Sequence, residues 1–221
     1  MSAPDSSRRD TIISKGLAYL LRHGAIKENL TIDEKGYVKI PDLLNHTRLK
    51  SSKTTMEDIL RIVANDTKQR YTINDDGDMI CANQGHSIKA VDNTNLILYT
   101  KETIPKDIYH GTFKKNLGDI IQSGGLSRMG RNHIHFTSSE SSYVAGKRYN
   151  SNILIYINVE KCLLHGIQFY KSLNGAILSE GDGNGFIKYE LFDKVIDVKL
   201  GVEIDISTYK ERATDNDNDN D

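Results

Sequence analysis

Apolar residues at the start of the chain fall at the spacing of one helix face. Ile12, Ile13, Leu17, Leu20 and Leu21 set that period over Thr11–His23, and Gly24 follows where a helix stop belongs. Asp33-Glu34-Lys35-Gly36 reads as a turn and Tyr37–Ile40 as a short strand, after which Pro41 opens a helix running to about Leu44. A second apolar stripe, Met56, Ile59, Leu60 and Val63, predicts a helix over Thr54–Ala64 capped by Thr54 or Thr55. Two short strands, Arg70–Ile73 and Met79–Ala82, flank the polar Asn74–Asp78 and predict a hairpin.

Helices followed by a hairpin resemble a winged-helix module, a fold that does not by itself specify a function. Val91–Lys106 is a polar connection carrying the short apolar run Leu96–Tyr99, and a domain boundary is placed near Asn93–Asn95. Beyond it the pattern changes to strands, at Ile108–Gly111, His133–Thr137, Ile153–Val159, Ala176–Ser179, Gly185–Glu190 and Val195–Lys199. Helices are expected between them at Phe113–Ser123, Glu140–Lys147 and Glu160–His165. The fold class is therefore α+β. Its expected parts are an N-terminal lobe over residues 1–94, a strand-rich C-terminal lobe over 95–208 and a low-complexity Asp/Asn tail over 209–221 that is too polar to pack.

Composition narrows the picture. No apolar run is long enough to span a membrane, and the polar start, Met1–Asp10, has no leader-type apolar core. Two well-separated cysteines, Cys81 and Cys162, read as buried reduced thiols of a cytoplasmic or nuclear protein. The formal net charge is −1, and setting aside Asp215, Asp217, Asp219 and Asp221 leaves +3 for the body. That excludes a broad basic field for nonspecific nucleic-acid binding and leaves room for a local basic pocket.

The candidate chemistry lies in short polar clusters. If Arg131–Thr137 is one strand, Arg131, His133 and His135 share a face, a surface suited to something anionic. His110-Gly111-Thr112 leaves a strand for a helix, and the glycine permits close backbone approach to a ligand; Thr112 is equally placed to cap that helix. Arg22-His23 ends the first helix, where cations also satisfy carbonyls and the dipole. Arg70, at the start of a strand, reads alone as a solvated surface cation. Gln84-Gly85-His86-Ser87 offers imidazole, hydroxyl and N–H groups for a phosphate cradle, or is a plain turn. His110, His133 and His135 also make a possible zinc set, against which stands the lack of a nearby Asp or Glu in sequence to orient them. Gly181–Gly185 is similar to a calcium loop without its full ligand ladder. No GxGxxG fingerprint or P-loop occurs.

Together these stretches resemble the RNA 2′-phosphotransferase family, over roughly Ser14–Lys199. The carriers are Ser14-Lys15-Gly16-Leu17-Ala18-Tyr19-Leu20-Leu21-Arg22-His23, Lys68-Gln69-Arg70-Tyr71, Ala82-Asn83-Gln84-Gly85-His86-Ser87, Tyr109-His110-Gly111-Thr112, Arg131-Asn132-His133-Ile134-His135 and Ser172-Leu173-Asn174-Gly175. Each is short; their order and spacing are specific in combination. The resemblance implies a winged-helix-like lobe holding an RNA 2′-phosphate and an ADP-ribosyltransferase-type lobe holding NAD. It implies a catalytic quartet of Arg22, His23, Arg70 and Arg131, the first three also on the RNA phosphate with Gln84, Gly85, His86 and Ser87. NAD contacts map onto His110, Gly111, Thr112, Asn132, His133, His135 and Ala176. The family usually carries a larger aliphatic residue at Ala176, an aromatic at Ile177 and often Pro where Arg128 stands.

What the family resemblance implies for function is transfer of the internal 2′-phosphate of spliced tRNA to NAD, by a monomer with no metal requirement. The products expected are 2′-OH RNA, nicotinamide and ADP-ribose 1″,2″-cyclic phosphate, through a 2′-phospho-ADP-ribosylated RNA. Three other readings stand beside it: an ADP-ribosyltransferase acting on another nucleic-acid phosphate or on protein, a non-catalytic RNA-phosphate-binding module, and a histidine-metal hydrolase.

Overall fold

The computed structural model describes residues 3–139 and 150–209, with side chains from Arg8 onward. The helix expected over Glu140–Lys147 and the tail beyond Tyr209 lie outside the described residues. The chain divides into two compact units, Met1–Ile97 with Ser172–Asn174, and Leu98–Lys171 with Gly175–Asp221. Helices and several sheets mix in an α+β architecture. Among the described residues no helix is long and apolar enough to cross a membrane.

In the first unit the opening apolar stripe forms α1 (Ala3–Tyr19), which widens into a π turn at Leu20–Gly24. Gly24 is not the helix stop that its position predicts. The chain stays helical through Ala25 and reverses at Asn29, which takes the left-handed φ of 59°. Gly24 is needed for another reason: a Cβ there would stand 2.5 Å from the Tyr19 ring. Then come β1 (Tyr37–Lys39), α2 (Ile40–Asn45), α3 (Thr47–Lys50), α4 (Met56–Asn65), β2 (Tyr71–Ile73) and β3 (Met79–Ala82). The three strands pair antiparallel in the order β1-β3-β2, with Val38 opposite Ile80 and Thr72 opposite Cys81. Ile13, Leu17, Leu20 and Leu21 of the first helix close over Val38, Leu43, Ile59 and Ile80.

Helix α4 starts on a capping box. The Asp58 amide donates to Thr55 Oγ1 at 3.3 Å and the Thr55 amide donates to Asp58 Oδ2 at 3.0 Å. The buried Asp58 carboxylate also accepts from Arg9 Nη1 and Arg61 Nη2, each at 2.8 Å. Arg9 foremost, then the Thr55 amide and Arg61, hold it well below the usual carboxylate range against the opposing effect of burial. Its inner face is Ile59 and Ile62; Leu60, assigned to the stripe from the sequence, is 46% exposed.

The second unit carries a sheet in the order β13-β12-β8-β5-β7-β10-β9-β4. Its strands are β4 (Ile97–Leu98), β5 (Ile108–Thr112), β7 (Ile134–Ser138), β8 (Ile153–Ile157), β9 (Tyr170–Lys171), β10 (Ile177–Ser179), β12 (Phe192–Asp197) and β13 (Val202–Glu203). Helices α5 (Lys114–Gln122) and α6 (Val159–Leu164) connect them. Phe136 and Phe169 pack edge-on in a core with Ile108, Leu117, Ile153 and Ile155. A small second sheet pairs β6 (Gly125–Ser127) with β11 (Phe186–Lys188). The apolar pattern predicts β11 but not β6, because the short Gly125-Leu126-Ser127 has no period of its own. Gly125, at φ 144°, is glycine because any Cβ would overlap the Ile187 carbonyl oxygen and lie 2.8 Å from Lys188 Cα.

Both cysteines are free and buried. Burial pushes the Cys81 thiol up to about 11 and the Cys162 thiol up to about 12. A raised thiol pKa contributes stability below the unfolded value of about 8.5, and that contribution is lost as pH climbs toward the folded value. The native protein is expected to resist alkylation at pH 8, to react at both cysteines once denatured, and to melt at falling temperature between about pH 9 and 11. Fast labelling of the native state would contradict this burial.

Candidate functional site

Arg22 and His23 ride on the π turn, a helix irregularity frequent at functional sites. Arg22 is half-buried and His23 exposed. The loop after β3 seats both: the Ser87 amide donates to the Arg22 carbonyl at 2.9 Å, and His23 Nδ1 lies 2.9 Å from Ser87 Oγ. Gly85, at φ 88°, lays bare backbone along the Arg22 side chain, where a Cβ would come within 3.5 Å of Nε. Gln84 Oε1 is buried without a hydrogen-bond partner among the described residues, an acceptor in want of an N–H or O–H donor. His86 turns its ring onto Gly36, whose Cβ would meet Nε2 at 3.0 Å.

Arg70 enters from the turn between α4 and β2, and Asp66 organises that turn. The Asp66 carboxylate accepts the Arg70 amide at 2.6 Å and the Lys68 amide at 3.2 Å, and pairs with Arg70 Nη1. Gln69 takes the left-handed φ of 41°, its carbonyl held by Asn83 Nδ2 at 2.7 Å, while the Asn83 amide donates to the Arg70 carbonyl at 2.8 Å. Asn174, in the segment that groups with this unit, donates Nδ2 to the Lys68 carbonyl at 3.1 Å.

Next along β2, Tyr71 donates its hydroxyl to the Ser14 carbonyl at 2.7 Å. Burial raises the pKa of this phenol, opposed by its Ser14 hydrogen bond and then by Arg22 and Arg70. The chain leaving β3 holds both segments, the Asn83 amide on the Arg70 carbonyl and the Ser87 amide on the Arg22 carbonyl, which brings Arg22 and Arg70 into the same neighbourhood. Asp66, Asn83, Tyr71 and Asn174 were not singled out as site residues from the sequence. For Asp66 a local signal exists, an Asp four residues before an Arg with a turn between them.

In the second unit the central strands part. β5 and β7 pair at Ile108–Ser138 and Tyr109–Thr137, and β5 then stays with β8 alone through Thr112. At the parting point His110 Nδ1 donates to the His135 carbonyl at 2.9 Å, a side chain in the place of the next ladder bond. A carbonyl oxygen only accepts, so Nδ1 carries the proton of that bond. The His110 ring meets Phe136 edge-on with centroids 6.2 Å apart. Gly111 and Thr112 are buried, and Thr112 Oγ1 accepts from Asn116 rather than from a backbone amide, so the capping role open to it in sequence is not used.

Arg131 and His133 do not lie in the strand expected over Arg131–Thr137. Met129 adopts the left-handed φ of 55°, the Arg131 amide donates to the Arg128 carbonyl at 3.0 Å, and the chain becomes extended only at Ile134, where β10 pairs with it. Arg131 is exposed in that turn. His135 is half-buried on β7 opposite Leu178, whereas Asn132 and His133 are buried in the segment before it. The His133 ring meets Tyr170 edge-on at 6.2 Å, and Nε2 lies 4.0 Å from Glu180 Oε1, an acidic neighbour distant in sequence. Ala176 is 1% exposed and precedes β10. Asp182 spends Oδ1 on the Asn184 and Phe186 amides of its own loop, closing a turn. Among the described residues no group of three or more His, Cys, Asp or Glu is placed to hold a metal ion.

The sequence profile of the RNA 2′-phosphotransferase, Tpt1/KptA family matches residues 8–181. The tRNA 2′-phosphotransferase of Saccharomyces cerevisiae is 39% identical over 199 residues, covering 86% of this chain and 84% of that protein. The tRNA 2′-phosphotransferase 1 of Danio rerio is 37% identical over 187 residues, covering 81% of this chain and 82% of the other. A probable RNA 2′-phosphotransferase of Pseudomonas syringae is 30% identical over 177 residues, covering 80% of this chain and 91% of the other.

Proposed function

The chain belongs to the RNA 2′-phosphotransferase, Tpt1/KptA family, and from that premise we propose that it removes the internal 2′-phosphate of spliced tRNA by transferring it to NAD. The observation that carries the reading is the segment Asn83–Ser87, which holds the Arg70 and Arg22 carbonyls and sets Ser87 Oγ 2.9 Å from His23 Nδ1. Guanidiniums are permanently charged and grip phosphate oxygens in pairs, which suits a phosphate monoester.

In the first step an oxygen of the RNA 2′-phosphate attacks C1″ of the nicotinamide ribose. The bond from C1″ to nicotinamide breaks and its electron pair stays on the departing ring, which becomes neutral. A phosphate monoester is already anionic near neutral pH, so no general base is required. In the second step the ribose O2″ attacks phosphorus, its proton is lost, and the bond from phosphorus to the RNA 2′-oxygen breaks, that oxygen taking up a proton. Charge then gathers on the phosphoryl oxygens, where Arg22, Arg70 and Arg131 act. His23 supplies either a phosphate contact or the proton path. On the NAD side we assign His110 to a ribose hydroxyl; its ring sits where β5 and β7 part.

Incubation with NAD and an internally 2′-phosphorylated RNA is expected to yield 2′-OH RNA, nicotinamide and ADP-ribose 1″,2″-cyclic phosphate. Parallel arms carry a 5′-phosphorylated RNA and a protein acceptor. Nicotinamide release in those arms and none with the 2′-phosphate would overturn the reading in favour of another ADP-ribosyl acceptor. RNA binding without any nicotinamide release would leave a binding module.

A further inference from the structure

We infer that Asp66 is a positioning residue, one that sets the Arg70 guanidinium for phosphoryl transfer without touching substrate; the inference rests on the function proposed above. Among the described residues, its carboxylate alone engages both ends of Arg70. It accepts the main-chain amide at 2.6 Å and pairs with Nη1 of the same residue. It lies almost out of solvent, its side chain 7% exposed against 36% for that of Arg70. An ion pair on a solvated surface contributes little, but one whose carboxylate is shielded and also bonded to two amides holds its partner in one rotamer.

The rest of the turn has no freedom to compensate. The Asp66 carbonyl accepts the Gln69 amide at 2.7 Å, Gln69 sits in the left-handed region, and Asn83 and Asn174 hold the carbonyls of Gln69 and Lys68. Position 70 is therefore fixed from the backbone outward, and the Asp66 contact on Nη1 settles the last torsions. A guanidinium has five N–H donors in one plane, so a partner on Nη1 orients the remaining donors as a set. Among the described residues no other acceptor is recorded for this guanidinium. Asp66 thus orients the charge while leaving donors for a phosphate.

The test compares Asp66→Asn and Asp66→Ser in two backgrounds, wild type and Arg70→Lys, with single-turnover rates for nicotinamide release and for cyclic-phosphate formation. Oδ2 of Asp66 takes the Arg70 amide while Oδ1 takes both the Lys68 amide and Nη1, so each variant keeps one oxygen for a main-chain amide and loses the anionic pair with Nη1. In the wild-type background each is expected to slow cyclic-phosphate formation about 10²-fold, the cost of misplacing one group by an ångström or so, with a much smaller change in nicotinamide release. In the Arg70→Lys background the same replacements are expected to change either rate by less than about 3-fold, because the planar fork that they orient is already gone. A merely structural Asp66 would cost the same factor in both backgrounds, and that result overturns the inference, as do wild-type kinetics in either variant. Loss of the fold in both variants, read by thermal melting, also overturns it, since the carboxylate would then hold the unit together. Failure of the underlying function looks different: the unsubstituted protein itself would form no cyclic phosphate.

Discussion

Arg22→Ala is expected to abolish 2′-phosphate removal while the first unit stays folded. The side chain is half-buried along Gly85 rather than inside the apolar core, and the main chain of the π turn is held by the Ser87 amide, which the substitution leaves in place. Stability should therefore change little. Catalysis should not survive, because a donor aimed at charge developing in the transition state is worth about 10²–10³ in rate and water is a poor replacement in a partly dry site. The same result is expected for Arg70→Ala and Arg131→Ala. The distribution of products is the more telling measurement. If these groups act mainly when O2″ attacks phosphorus, weakened variants such as Arg22→Lys should accumulate ADP-ribosylated RNA. Unreacted RNA alone would count against that division of labour, and near-wild-type turnover in any one alanine variant would remove its residue from the reaction.

Gly125→Ala is expected to destabilise the second unit by about 3 kcal/mol or more, since a side chain at that φ is strained and the new methyl must displace main chain rather than a mobile side chain. The atoms in the way are the Ile187 carbonyl oxygen and Lys188 Cα. The damage should extend to activity. The small sheet ends at Ser127, and the next residue, Arg128, donates its amide to the Gly185 carbonyl at 3.0 Å before the turn that carries Arg131. Thermal melting with product formation checks both effects; an unchanged melt would show that the β6–β11 contact yields easily.

How far these features were legible in the sequence depended on how local their causes are. The Thr55 cap, the Pro41 helix start and the hairpin around Asn74–Asp78 follow from rules that act within a few residues, and each stands where expected. The expectation for Gly24 failed because the glycine answers to the Tyr19 ring, a packing demand that no turn rule encodes. The strand over Arg131–Thr137 failed at its first half because the start of β7 is set by β10, its partner some forty residues on. The same distance hid Glu180 from His133. Of the candidate site, the residue types were readable and their holders were not. Arg70 could be picked out by its motif, whereas the roles of Asn83 and Asn174 exist only once the turn before β2 is folded.

The bond from His110 to the His135 carbonyl gives position 110 two separate duties. One is the ribose contact proposed above; the other is to close a seam between two strands that no longer zip together. Alanine at that position would strike both at once, so an inactive His110→Ala protein would not reveal which duty mattered. A replacement such as Asn, able to latch the carbonyl yet lacking a ring, separates them and is the more instructive choice wherever a side chain substitutes for main chain.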